Sequence, residues 1–211
     1  MKGKFITFEG SEGCGKSTQS RLLYEYLKKK GREVVYLREP GGTRISEKIR
    51  KVLLEPKNHM APECEMLLYM AARAQIVCEV IKPALEAGKI VLCDRFLDST
   101  LAYQGYGLGI DLDLIKRMGK FVTCSIKPDL TILLDLSVKK GLENRHIVKD
   151  RIERRSIVYH QQVRKGYLAL AALEPRRIKI VKVAKDKAIT QEAIRKLVIC
   201  HFKISKARIE Q

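Results

Sequence analysis

Phe5-Ile6-Thr7-Phe8-Glu9-Gly10-Ser11-Glu12-Gly13-Cys14-Gly15-Lys16-Ser17 is the stretch that decides how this chain folds. Its last eight residues match G-x-x-x-x-G-K-[ST], the spacing of a loop that wraps phosphate groups. The context is the required one: an apolar strand runs into the loop and a helical pattern leaves it. Glycines allow the backbone to turn its N–H groups inward around an anion. Lys16 reaches the β and γ oxygens, the Ser17 hydroxyl ligates Mg²⁺, and the helix that starts there points its positive end at the phosphates. Gly10, Ser11, Glu12, Gly13, Cys14, Gly15, Lys16, Ser17 and Thr18 are therefore expected to hold a nucleoside triphosphate with its Mg²⁺.

Moving outward, short apolar runs at residues 5–8, 34–37, 90–93, 130–136 and 178–183 alternate with longer helical patterns. None of the runs shows sustained apolar–polar alternation, so both faces of each strand are expected to be covered, as in a parallel sheet with crossover helices. Helices are expected over 16–30, 43–54, 62–87, 112–121, 151–173 and 189–201, with Gly31 closing the first. The series predicts an α/β fold of three layers, a five-stranded parallel sheet flanked by helices. Ligands of such sheets bind beyond the carboxyl ends of the strands. Two strands end in an acid there, at Asp94 and Asp135. Either could approach the magnesium. The cation beside the first, Arg95, favours Asp94.

The 211 residues, 45% of them hydrophobic, suffice for one well-buried core and are few for two, so a single domain over 1–211 is expected. No apolar run approaches the length of a membrane span, and the start of the chain shows no secretory pattern. Six cysteines form no C-x-x-C pair and no zinc spacing, which points to a reducing cytoplasm. The net charge of +18 raises nucleic-acid binding as an alternative. The cations are spread along the chain, however, and no aromatic–basic stacking motif accompanies them. Nucleic acid is thus not the expected main ligand.

GTPases of the phosphate-loop class carry N-K-x-D and D-x-x-G; the chain has neither. Motor and transporter ATPases need more chain. Kinases of small molecules remain. Several further blocks are specific. Arg38-Glu39-Pro40-Gly41-Gly42-Thr43 stands after the second strand, LLYMAARAQ occupies 67–75, and DRFLDSTLAYQG occupies 94–105. KPDLTILLDL follows at 127–136, DRIE at 150–153 and VRKGYLALA at 163–171. With these blocks in this order, the chain resembles the thymidylate kinase family, in the subgroup whose lid carries the arginines.

The resemblance implies transfer of the ATP γ-phosphoryl group to dTMP, giving dTDP and ADP. The acceptor is a phosphate oxygen, already anionic near neutral pH, so positioning and charge neutralisation suffice without a general base. It further implies that Arg95 clamps the acceptor phosphate and that Tyr69 stacks on thymine. Arg73 would bond a base oxygen, and Thr100 and Gln104 would meet the base edge. Tyr103 would crowd the sugar 2′ position, and Glu12 would meet the 3′-hydroxyl. Pro40 and Ser99 complete the acceptor site, Ser17 and Asp94 the metal site. Arg50 is either a second phosphate contact or a solvated helix residue.

In the family a mobile lid closes over ATP, here at about 141–155. The phosphate loop has no arginine, so lid cations are expected to supply transition-state charge. Arg145 and Arg151 are the candidates, with Lys149 behind them; together with Lys16 and Arg95 they form the expected catalytic set. The family is also homodimeric. The Ala71, Ala72, Ile76 and Val80 side of the third helix packs either on a partner or on its own sheet.

Overall fold

The structure is a computed structural model and describes residues 3–144 and 150–202. Five strands, β1 (Lys4–Glu9), β2 (Val34–Arg38), β3 (Ile90–Asp94), β4 (Leu130–Asp135) and β5 (Ile178–Lys182), form one parallel sheet in the order β2-β3-β1-β4-β5. The central strands are buried on both faces, as their continuous apolar runs required. Phe8 pairs with Asp94, and Arg38 pairs with Asp94 from the other side. The carboxyl ends of β1, β2 and β3 are thereby level. The residues that follow them, the phosphate loop among them, gather at one edge.

The helices are α1 (Lys16–Lys29), α2 (Arg44–Leu54), α3 (Pro62–Ile76), α4 (Lys82–Glu86), α5 (Leu97–Thr100), α6 (Leu112–Val122), α7 (Val138–Glu143), α8 (Ile157–Leu173) and α9 (Lys187–Phe202). On one face α1 and α9 bury Leu23, Leu27, Ile194 and Val198 against Ile6, Phe8, Leu92 and Ile132. On the other face Ile76, Val77 and Ile81 cover Phe5, Val91 and Cys93, while Val163 and Leu170 of α8 cover Leu133 and Ile178. Ala72 and Ile76 are buried in the chain's own core and Val80 packs against it, while Ala71 is exposed. All six cysteines are free, and burial pushes the Cys93 thiol well above its ordinary range. Among the described residues no helix is long and apolar enough to cross a membrane.

Two expected helices differ in detail. The 62–87 pattern is one rod interrupted by a wide turn at Val77–Ile81 between α3 and α4. The 151–173 pattern begins only at Ile157, because the Ser156 hydroxyl accepts from Tyr159 N and caps the helix there. Residues before it form turns. After α5 the chain continues in a second wide turn, Leu101–Tyr106, closed by Gly107 N donating to Ala102 O at 3.0 Å. Such π-type turns recur where side chains are re-aimed at a ligand, and this one carries Tyr103 and Gln104.

Candidate active site

The loop between β1 and α1 takes the conformation its glycines allow. Gly10, Gly13 and Gly15 have φ of 142°, 68° and 88°. A Cβ on Gly13 would stand 1.9 Å from the Gly141 carbonyl of α7, and Asn144 Nδ2 donates to Gly13 O at 3.3 Å. The start of the lid segment therefore rests on the loop. Gly13→Ala is expected to weaken ATP binding about ten-fold or more in a calorimetric titration, because left-handed backbone costs an L residue roughly 1–2 kcal/mol before the clash is counted.

Glu12, Gly13, Gly15, Lys16, Ser17 and Thr18 line a cavity of about 460 Å³. Gly10, Ser11 and Cys14 lie behind it; Cys14 belongs to the core. The Lys16 ammonium donates to Ser11 O at 2.7 Å and stays close to the loop. Ser17 Oγ donates to Asp94 Oδ2 at 2.5 Å. Asp135, the other strand-end acid, is held by both Nε and Nη2 of Arg164 at 2.8 and 2.9 Å. The two candidates are thereby separated: Asp94 faces the phosphate loop and Asp135 is structural. A hydroxyl and a carboxylate are hard oxygen donors that suit Mg²⁺, which takes its other ligands from phosphates and water. Among the described residues no group of three or more His, Cys, Asp or Glu forms a protein-only metal cage.

Arg95 sits where the loop and the second half of the cavity meet. Its backbone is left-handed, φ 72°, and its N–H donates to Phe8 O at 2.9 Å. Nη2 donates to Glu12 Oε1 at 2.6 Å and to the Tyr103 hydroxyl at 3.0 Å; that hydroxyl donates in turn to Glu12 at 2.7 Å. Nη1 donates to Gly10 O, Ser99 Oγ and Tyr167 Oη. Burial works against the arginine's charge, and Glu12 with the tyrosines more than offsets it, so its pKa lies well above the ordinary value.

Beyond Arg95 the cavity is walled by Pro40, Arg50, Tyr69, Ser99, Thr100, Tyr103 and Gln104. Arg50 is fixed by donating to Pro40 O at 2.9 Å, so it is a wall residue rather than a solvated one. Arg73 stands directly behind this wall and is 1% exposed. Nε donates to Glu39 Oε2 at 2.8 Å, Nη1 to Thr100 Oγ1 at 2.9 Å and Nη2 to Phe96 O at 3.0 Å. It braces the wall from behind, because a buried guanidinium needs this many acceptors.

Arg151 rests on α3 and the end of α2. Its Nη2 lies 2.6 Å from Glu65 Oε2 and its Nε donates to Leu53 O at 2.9 Å. Arg155 Nη2 reaches the same Glu65 oxygen at 2.6 Å. The guanidinium of Arg151 thus neutralises a buried acid on α3 instead of facing the phosphate loop. Arg145 and Lys149 lie outside the described residues.

Sequence reading missed Glu9, the last residue of β1. It is fully buried and accepts from Phe96 N at 2.7 Å, Ser99 Oγ at 2.6 Å and Tyr167 Oη at 2.9 Å. Burial, then the nearby Asp98 charge, raises its pKa from 4.5 to about 7, against lowering by Ser99, Arg95 and the Phe96 N–H. The folded protein therefore keeps a proton that the unfolded chain has released between those values, and stability falls as pH rises through that window. Glu9→Gln imitates the protonated form. Its stability relative to the parent is expected to improve between pH 5 and 7.5 by on the order of 2–3 kcal/mol, read by urea unfolding at both pH values. A difference that does not change with pH would remove Glu9 as the titrating group. The signal for Glu9 was present: an acid inside an apolar strand, directly before the phosphate loop.

Comparison with known proteins gives one family. The thymidylate kinase family model matches residues 8–194. The chain is 53% identical over 176 residues to a thymidylate kinase of Halothermothrix orenii, covering 81% of this chain and 85% of that one. It is 50% identical over 190 residues to one from Pelotomaculum thermopropionicum, covering 88% of each. The crystal structure of thymidylate kinase from Ehrlichia chaffeensis superposes with a TM-score of 0.79 at 33% identity, over 94% of this chain and all of that one.

Proposed function

The chain belongs to the thymidylate kinase family, and from that membership we infer that it transfers the γ-phosphoryl group of ATP to dTMP, giving dTDP and ADP. It is an ATP-dependent dTMP kinase, a transferase of nucleotide biosynthesis. The observation that carries this reading at the level of chemistry is the placement of Arg95. One guanidinium spans the phosphate loop at Gly10 and Glu12 and the cavity wall at Ser99 and Tyr103. Two mutually repelling anions brought to either side of it would share one fixed cation.

The residues divide the work as follows. The loop from Gly10 to Thr18 takes ATP, with Lys16 on its phosphates. Mg²⁺ is taken at Ser17 and Asp94, where it would neutralise phosphate charge. Glu12, Pro40, Tyr69, Arg73, Arg95, Ser99, Thr100, Tyr103 and Gln104 take dTMP, and Arg73 also holds Thr100 in place. The Tyr103 hydroxyl, tied to both Arg95 and Glu12, would crowd the sugar 2′ position, and Glu12 would meet the 3′-hydroxyl. Lid charge would come from Arg145, whose neighbour Asn144 touches the phosphate loop, and from Arg151, which here rests on Glu65. One domain spans the chain, it works in the cytoplasm, and it pairs as a homodimer. Exposed Val52 and Leu67, on the packed helices α2 and α3, offer apolar surface for that pairing.

Product analysis tests the reading. ATP and dTMP with Mg²⁺ should give dTDP and ADP in equal amounts. ADP without dTDP, or no product at all, would overturn it.

A further inference from the structure

Gln104 is 2% exposed and lines the active-site cavity. Its Nε2 donates to Glu65 Oε1 at 2.8 Å. Glu65 is fully buried on α3, one helical turn before Tyr69, and its other oxygen takes Arg151 and Arg155, each at 2.6 Å. A carboxylate set between guanidiniums offers only acceptors. The Gln104 amide must therefore present its NH₂ to Glu65, so its orientation is fixed by chemistry rather than by choice of atom assignment. Its carbonyl oxygen is left over, and it accepts from no described residue. The cavity wall at this point is a hydrogen-bond acceptor.

We propose that Glu65 is a positioning residue for base selection: by holding the NH₂ of Gln104 it makes the wall accept a ring N–H, and so it selects thymine or uracil against cytosine. Thymine and uracil carry a proton on N3; cytosine N3 carries a lone pair. A cytosine there would set two acceptors face to face and leave both unsatisfied, the arrangement that gives sites strong discrimination. The inference rests on the reading of dTMP as acceptor and adds the group that sets the polarity of the base contact. It also gives Arg151 and Arg155 a role. They balance the charge of Glu65, so the carboxylate that orients Gln104 anchors the far end of the lid segment as well.

The test compares kcat/KM for dTMP and dCMP in the parent and in Glu65→Gln. A glutamine at 65 can donate or accept, so Gln104 becomes free to turn its NH₂ to the cavity. The dTMP-to-dCMP ratio is expected to fall about ten-fold or more, with KM for dTMP rising and KM for dCMP falling, while KM for ATP stays within about two-fold. A role confined to folding would lower both substrates together and leave the ratio alone. The exchanged pair Glu65→Gln with Gln104→Glu restores a fixed donor–acceptor order and an acceptor at the wall, so it should recover selectivity lost in the single variant. Should Glu65→Gln not fold, Gln104→Met keeps the Glu65–arginine cluster and removes the acceptor; its ratio should fall too. A parent-like ratio in the folded single variants overturns the proposal. Failure of the parent to use dTMP at all would instead overturn the acceptor reading, so the two failures are distinguishable.

Discussion

Arg95→Ala lowers the turnover of dTMP by about three orders of magnitude and leaves ATP affinity within a few-fold of the parent. Loss of one preorganised donor to developing charge costs about 10²–10³, and loss of an arginine facing a transferring phosphoryl group costs more. Arg95 has several duties here. Its guanidinium is the cation facing Glu12, its fork ties Tyr103 and Ser99 to the loop, and its left-handed backbone holds it at the end of β3. Alanine leaves the Glu12 carboxylate without that cation next to an incoming dianion, so the acceptor is repelled as well as unheld. ATP affinity is spared because Lys16, Ser17 and the loop amides are untouched. Arg95→Lys keeps the charge without the fork and should recover only part of the loss. Stopped-flow turnover combined with calorimetric ATP binding checks the pair of outcomes. Near-parental turnover in Arg95→Ala would take the residue out of the mechanism.

Lys16→Ala is expected to have an effect of similar size, divided between turnover and ATP binding. Here turnover falls by about 10²–10³ and ATP binding weakens too, because the ammonium is proposed to contact the group that moves. Lys16 is almost buried, with its amine on Ser11 O at the mouth of the loop. No other lysine or arginine among the described residues that line the cavity belongs to the loop. Single-turnover rates at saturating ATP separate the chemical loss from the binding loss. Parental rates at saturation would reduce Lys16 to a binding role.

The sheet and the phosphate loop could be read from the chain because their signals are local. Continuous apolar runs give the doubly covered central strands β1, β3 and β4, and the Gly–Lys–Ser spacing follows from backbone geometry alone. What could not be read depended on partners far along the chain. Asp94 and Asp135 end similar strands; only the distant Arg164 shows that the second is occupied. Tyr69 and Arg73 share a helix face by spacing, yet four residues overshoot a full turn by about 40°. That offset is enough for Tyr69 to face the cavity while Arg73 turns in toward Glu39 and Thr100. Arg151 reads as a lid cation, and its contact with the buried Glu65 could not be read from spacing. Buried acids were the common blind spot. Glu39 and Glu65 look like ordinary surface charges in sequence, Glu9 like an acid set into an apolar strand, and each becomes structural only through the donors that surround it.

Initial rates of ADP release across a panel of nucleoside monophosphates test the central claim most directly. With ATP and Mg²⁺ present, fast turnover with dTMP, weak turnover with dUMP and none with CMP or AMP is the expected result. Absence of turnover with every monophosphate, together with salt-sensitive binding of DNA by this strongly basic chain, would contradict it.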